Sequence, residues 1–149
     1  MQSLELKVLL THPKAKLPEK AHIDDAAWDL FTSKDARIPS SGSCEWVNTG
    51  LKIKLPEGYF ARFYGRSGYS KDNKIMIGAG LIDENFLGEW RVLVFNFSAY
   101  PLTIPAGTKF AQFSLHRRIH ADVKQITSET ELGETTRGEK GFGSSDVKN

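Results

Sequence analysis

The chain has 149 residues, a formal net charge of +2, 40% hydrophobic residues and one cysteine, Cys44. This length suits a single domain that buries roughly two-thirds of its unfolded surface, and so small and dispersed a charge argues against nucleic acid or a membrane as partner. A lone cysteine excludes an internal disulfide framework and a cysteine-rich zinc site, and no apolar run approaches the roughly 18 residues of a membrane span.

The opening Met1-Gln2-Ser3-Leu4 shows no positive region followed by a long apolar run. No signal peptide is read there, and a cytoplasmic location is expected. Leu4 to Leu10 alternates as a strand that His12-Pro13 ends. Asp24 to Phe31 is apolar but brief, and a helical period fits only fragments such as Asp24 to Leu30. Val47 to Leu55 alternates in its second half, Pro56-Glu57-Gly58 is a turn, and Tyr59 to Tyr64 is the next strand. Gly65-Arg66-Ser67-Gly68-Tyr69-Ser70-Lys71 then reads as a polar loop. Its guanidinium, hydroxyls and permissive backbone suit phosphate oxygens, although such strings are common in surface loops. It is not a Walker loop, because the Gly-Lys-Ser/Thr ending is missing and no helix is expected after it.

Ile75 to Ile77 is a strand, followed by the segment Gly78 to Glu89. Here Asp83 sits at the tip of an apolar, glycine-flanked hairpin, with the ring of Phe86 three residues on. Such a carboxylate can poise a water beside a stacking face, or it can simply solvate the turn. Strands over Arg91 to Phe97, Leu102 to Ile104 and Lys109 to Leu115 complete the series, with Pro105-Ala106-Gly107 turning between the last two. Many short strands punctuated by Gly and Pro predict an all-β sandwich, jelly roll or barrel. Trp46 and Trp90 read as packing or interface residues, and Arg117-Arg118 as solvated or at a subunit contact. His116 and His120 are four apart, a spacing that makes no metal pair on a strand. From Ser128 on, Leu132, Phe142 and Val147 stand alone among charges, Ser, Thr and Gly. The division is therefore a β-rich domain over 1–127 and a mobile arm over 128–149. In the arm, Arg137 to Ser145 could wrap an anion through its glycines, Arg137, Lys140, Ser144 and Ser145, with Phe142 free to stack; its composition is equally that of a solubilising tail.

Five of these segments, in order, resemble the motifs of the trimeric dUTP pyrophosphatases (dUTPases). They are Asp25 to Leu30, Gly65 to Ser70, Gly78 to Glu89, Gly107 to Gln112 and Arg137 to Ser145. The resemblance implies a jelly-roll-like, β-clip subunit with a flexible C-terminal arm, in a homotrimer whose sites lie at subunit interfaces. It implies hydrolysis of dUTP to dUMP and pyrophosphate with Mg2+, which limits uracil in DNA and supplies dUMP for dTMP synthesis. Asp83 resembles the carboxylate that activates water for attack on the α-phosphorus. Arg66, Ser67 and Gly68 match the phosphate-holding motif, Gln112 a position near the phosphates, and Asp29 one that reaches the metal through water. The backbone of Gly80, Leu81 and Ile82 would meet the uracil edge, Phe86 the sugar, and Arg91 the substrate from the returning strand. Arg137 would reach the γ-phosphate while Phe142, Gly143 and Ser144 close over the nucleotide.

The chain departs from the family pattern at Phe86 (usually Tyr), Ala27 (Gly), Lys109 (Arg), Leu87 (polar or basic) and Lys140 (Gly). A dCTP deaminase of the same superfamily would need an acid on the strand from Arg91 to Asn96, which has none. A regulatory, dUTP-gated binding protein is the reading from another class, and a purely structural β-module would leave the five motifs unexplained.

Overall fold

The computed structural model of the protein describes residues 4–141, which divide into two compact units, one ending at Ile119 and one beginning at His120. In the first unit four small sheets enclose one core. β2 (Trp28–Phe31), β11 (Lys109–Arg117), β6 (Tyr59–Gly65) and β8 (Leu81–Ile82) form the largest, in the order β2-β11-β6-β8. β4 (Ser43–Asn48), β9 (Arg91–Asn96) and β7 (Ile75–Gly78) form the second, with β9 central. Two ribbons complete the set: β1 (Lys7–Leu10) with β5 (Leu51–Lys54), and β3 (Ala36–Ile38) with β10 (Leu102–Ile104). All the pairings are antiparallel. The fold is all-β and jelly-roll-like, as expected.

Alternation puts one face of each strand inward. Leu30, Ile38, Val47, Leu51, Ile53, Phe63, Val92, Val94, Ile104, Phe110 and Phe113 come from all four sheets and join a single buried cluster around Trp90. Trp90 packs edge-on against Phe63 and Phe113, at centroid distances of 5.5 and 5.0 Å. Each such aliphatic or aromatic burial contributes about 1.5–3 kcal/mol, so the strands need little propensity of their own.

The stretch Val47 to Leu55, read as one strand, is two. Thr49-Gly50 breaks it because Gly50 takes a φ of 68° and a Cβ there would lie 2.8 Å from Ala15 Cβ. The segment after Gly65, read as a loop with no helix, is α1 (Ser67–Asn73). Arg66 stays extended before it and Lys74 ends it at a φ of 52°. The segment Gly78 to Glu89 is also more than a hairpin. β7 and β9 do pair around it, but Leu81 and Ile82 leave between them to join β6 in the other sheet.

The second unit, from His120, contains a 3-10 turn over Glu129–Leu132 and exposes Val123 and Leu132. Among the described residues no helix is long and apolar enough to cross a membrane.

Candidate active site

Strand register builds the first half of the site. Asp29 on β2 stands opposite Gln112 on β11, and Gln112 stands opposite Tyr64 on β6. Residues directly opposite share a sheet face, so these three form a polar row. Ser114, two residues along β11, lies on that face too, while Leu30, Phe63 and Phe113 point into the core. The row opens into a cavity of about 840 Å³, whose walls include Asp25, Asp29, Arg66, Ser67, Gly68 and Gln112.

Asp29 is the centre of charge. Arg66 Nε donates to its Oδ1 at 2.8 Å, and Lys109 Nζ lies 3.3 Å from its Oδ2. Lys109 also pairs with Glu19 at 2.5 Å, and Arg66 Nη1 donates to the Lys109 carbonyl at 3.2 Å. The carboxylates of Glu19 and then Asp29 hold the Lys109 ammonium above its ordinary value, against a smaller opposing effect of desolvation. Gln112 Nε2 donates to the Gly65 carbonyl at 2.8 Å, which leaves its own oxygen uncommitted. Ser67 and Gly68 are exposed at the start of α1. No side chain caps that helix, so its first-turn N–H groups keep donors for a ligand.

Asp83 lies elsewhere. It follows β8, exposed, in a separate cavity of about 460 Å³ lined by Phe60, Leu81, Asp83, Glu84, Asn85 and Arg118. Ile82 pairs with Ala61, which puts Asp83 level with Phe60, whereas Arg66 lies beyond the far end of β6. At about 3.3 Å per residue, some 20 Å of strand separates the two. Ala79 and Gly80 both take positive φ, 52° and 97°, and the Gly80 carbonyl accepts a hydrogen bond from Phe63 N at 2.8 Å. β8 is an edge strand, so its outer N–H and C=O groups remain free to pair. The half-exposed Phe86 ring lies over Gly88, where a Cβ would come within 2.5 Å of its Cζ.

Arg91, at the start of β9, lines neither cavity; its guanidinium lies over the Trp46 ring at 5.7 Å. Glu89 is structural, accepting from Gly50 N and Asn48 Nδ2 at the break between β4 and β5. In the second unit Arg137 Nε donates to the Lys140 carbonyl at 2.7 Å. Phe142, Gly143 and Ser144 lie outside the described residues. Sequence reasoning missed Tyr64, Tyr69 and Ser114 as cavity walls. Tyr64 and Ser114 are placed by the β6–β11 register and Tyr69 by α1, neither of which the local sequence displays. His116 is engaged within its own sheet: its Nε2 lies 2.8 Å from Ser114 Oγ and 3.2 Å from Tyr64 Oη. Among the described residues no three His, Cys, Asp or Glu side chains are grouped to hold a metal.

A family model described as dUTPase matches residues 13–146. The deoxyuridine 5'-triphosphate nucleotidohydrolase of Candida albicans is 41% identical over 139 residues, 93% of this chain and 86% of that protein. Among solved structures, the dUTPase of Staphylococcus bacteriophage 80alpha with dUPNHPP superposes with a TM-score of 0.85 at 25% identity, covering 96% of this chain and 99% of the other. A mutant dUTPase from phage phi11 of S. aureus, described for its coordination of a structural Mg(II) ion, shares the fold with a TM-score of 0.77 at 22% identity, over 83% and 97% of the two chains.

Proposed function

The chain belongs to the dUTPase family, and from that premise we propose how it hydrolyses dUTP to dUMP and pyrophosphate. The observation that carries the reading is the convergence of Asp29, Arg66, Ser67 and Gln112 on one cavity, with Asp83 exposed beside an edge strand. Arg66 and Ser67 hold phosphate oxygens, with the Gly68 backbone allowing close approach. The free edge of Leu81 and Ile82, with Gly80, pairs with the uracil edge, and the Phe86 ring carries the sugar. Asp83 takes a proton from water as that water attacks the α-phosphorus, and pyrophosphate leaves with the bond electrons.

The donor set fits Mg2+ brought in on the triphosphate rather than caged by the protein. Both Asp29 oxygens are already engaged by Arg66 and Lys109, so Asp29 would reach the ion through water, as suits a cation that keeps most of its hydration. When bound, Mg2+ neutralises phosphate charge and eases approach of the nucleophile. Arg137, Phe142, Gly143 and Ser144, in the arm over 128–149, are assigned to closure over the nucleotide, and Arg91 to a substrate contact from a neighbouring subunit.

The separation of the two half-sites supports an assembly in which each site is shared between subunits, the proposed homotrimer. A strand length of about 20 Å is too far for one triphosphate to touch both Asp83 and Arg66 of one chain. The solvent-facing side of the β4-β9-β7 sheet also exposes Trp46, Met76 and, just beyond β9, Phe97, a surface suited to a second copy. The test is pyrophosphate release with Mg2+ from dUTP, dCTP, dTTP and UTP side by side. Release from dUTP alone is expected. Asp83→Asn should still bind dUTP but lose about 10²–10⁴-fold in turnover; undiminished turnover removes Asp83 as the base.

A further inference from the structure

We propose that Glu84 and Arg118 form a positioning pair that holds the Asp83 turn in its working geometry. The inference rests on Asp83 as the water-activating carboxylate. The Glu84 side chain is only 14% exposed and has turned back from solvent toward the chain. Its Oε2 accepts a hydrogen bond from Gly58 N at 2.9 Å and lies 3.3 Å from Arg118 Nη2. Arg118 N in turn donates to the Gly58 carbonyl at 2.8 Å. Gly58 thus spends both backbone groups joining three segments: the turn before β6, the residue after Asp83, and the end of β11.

The backbone on either side of Asp83 is held by different means. Before it, the pairing of Leu81 and Ile82 with β6 fixes the chain. After it, Phe86 N closes a turn on the Asp83 carbonyl at 3.1 Å, and Glu84 is the one side chain of this turn anchored to another segment. The Asp83 carboxylate has no hydrogen-bond partner of its own among the described residues, so the backbone on either side is what places it. A displacement of about 1 Å at a reacting group can cost up to about 10²-fold in rate. Arg118 is also the one cation lining the cavity that holds Asp83, whose other charged wall residue is Glu84. An exposed ion pair alone contributes little; here the shared backbone anchor makes the pair a strut.

The experiment measures dUTP turnover, dUTP binding and thermal stability of the full chain carrying Glu84→Gln, Arg118→Leu, Arg118→Lys or Asp83→Asn. Glu84→Gln and Arg118→Leu are expected to lower kcat about tenfold, equivalent to about 1.4 kcal/mol, with KM within about twofold. Arg118→Lys should recover most of the loss, because the guanidinium makes one contact with Glu84 rather than a fork. Unchanged kcat in Arg118→Leu, or a loss matched in Arg118→Lys, overturns the proposal even if Glu84→Gln fails to fold. If Asp83→Asn is inactive while the pair variants behave as wild type, only the positioning role falls. If Asp83→Asn keeps full turnover, the Asp83 reading itself falls, and the pair's role with it.

Discussion

Asp29 has a side chain only 14% exposed and cations on both oxygens. Removing one partner of so enclosed a pair costs more than the pair contributes, because the remaining charge is left without compensation. Asp29→Asn should therefore release Arg66 and raise the Mg2+ concentration needed for half-maximal activity, which a Mg2+ titration of turnover checks. An unchanged Mg2+ requirement would remove Asp29 from the metal's path. Lys109 carries a pH signature of its own. Its raised value means that its stabilising contribution is complete below the ordinary value of 10.5 and is lost as pH climbs through the higher folded value. Lys109→Met should lower Tm at neutral pH and flatten the alkaline fall, as a Tm series from about pH 8 to pH 11 would show. At this scale the residue types were legible in the sequence but their partners were not. Gly65 to Ser70 offered a guanidinium and hydroxyls suited to phosphate, whereas the Glu19–Lys109–Asp29–Arg66 chain depends on the Glu19–Asp29 bridge and on the registers that set β2 and β6 on either side of β11.

Among the elements, strands with clean alternation such as β5 and β9 declared themselves, because one face is buried and the other is not. α1 did not, since none of its residues is buried and no apolar period marks it. β3, three residues long, was too short to show a pattern. The path of β8 was hidden for another reason: Gly78 to Glu89 looks locally like a hairpin, and the pairing of Leu81 and Ile82 with β6 is a long-range contact that the local sequence does not display. The turn after β8 yields a specific test. Because a Cβ at residue 88 would collide with the Phe86 ring, Gly88→Ala should swing the ring off its perch. We expect KM for dUTP to rise about tenfold with kcat retained, the pattern of lost uniform binding. Stability should change by no more than about 0.5 kcal/mol, since the half-exposed ring lies outside the buried cluster. Steady-state kinetics and a denaturant titration separate the two effects.

For the whole molecule, the separation of Asp83 from Arg66 makes the proposed trimer testable by mixing. Asp83→Asn and Arg66→Ala should each be inactive alone. If every site draws Asp83 from one subunit and Arg66 from another, subunits exchanged in equal amounts restore about one quarter of wild-type activity. No recovery after demonstrated exchange would place both residues in one chain's site. The cavity lined by Asp29, Arg66 and Gln112 has a further consequence, in time rather than space. Its floor pairs β2, near the beginning of the chain, with β11, near the end of the first unit, and β6 from the middle lies on the other side of β11. A nascent chain emerging N-terminus first therefore lacks this cavity until β11 has been synthesised and has closed the longest loop among the described strand pairings. Pairings of this kind are the slow ones in folding. If triphosphate binds there as proposed, the nucleotide rewards only subunits in which β11 has docked and gives no help to the intermediates that precede them.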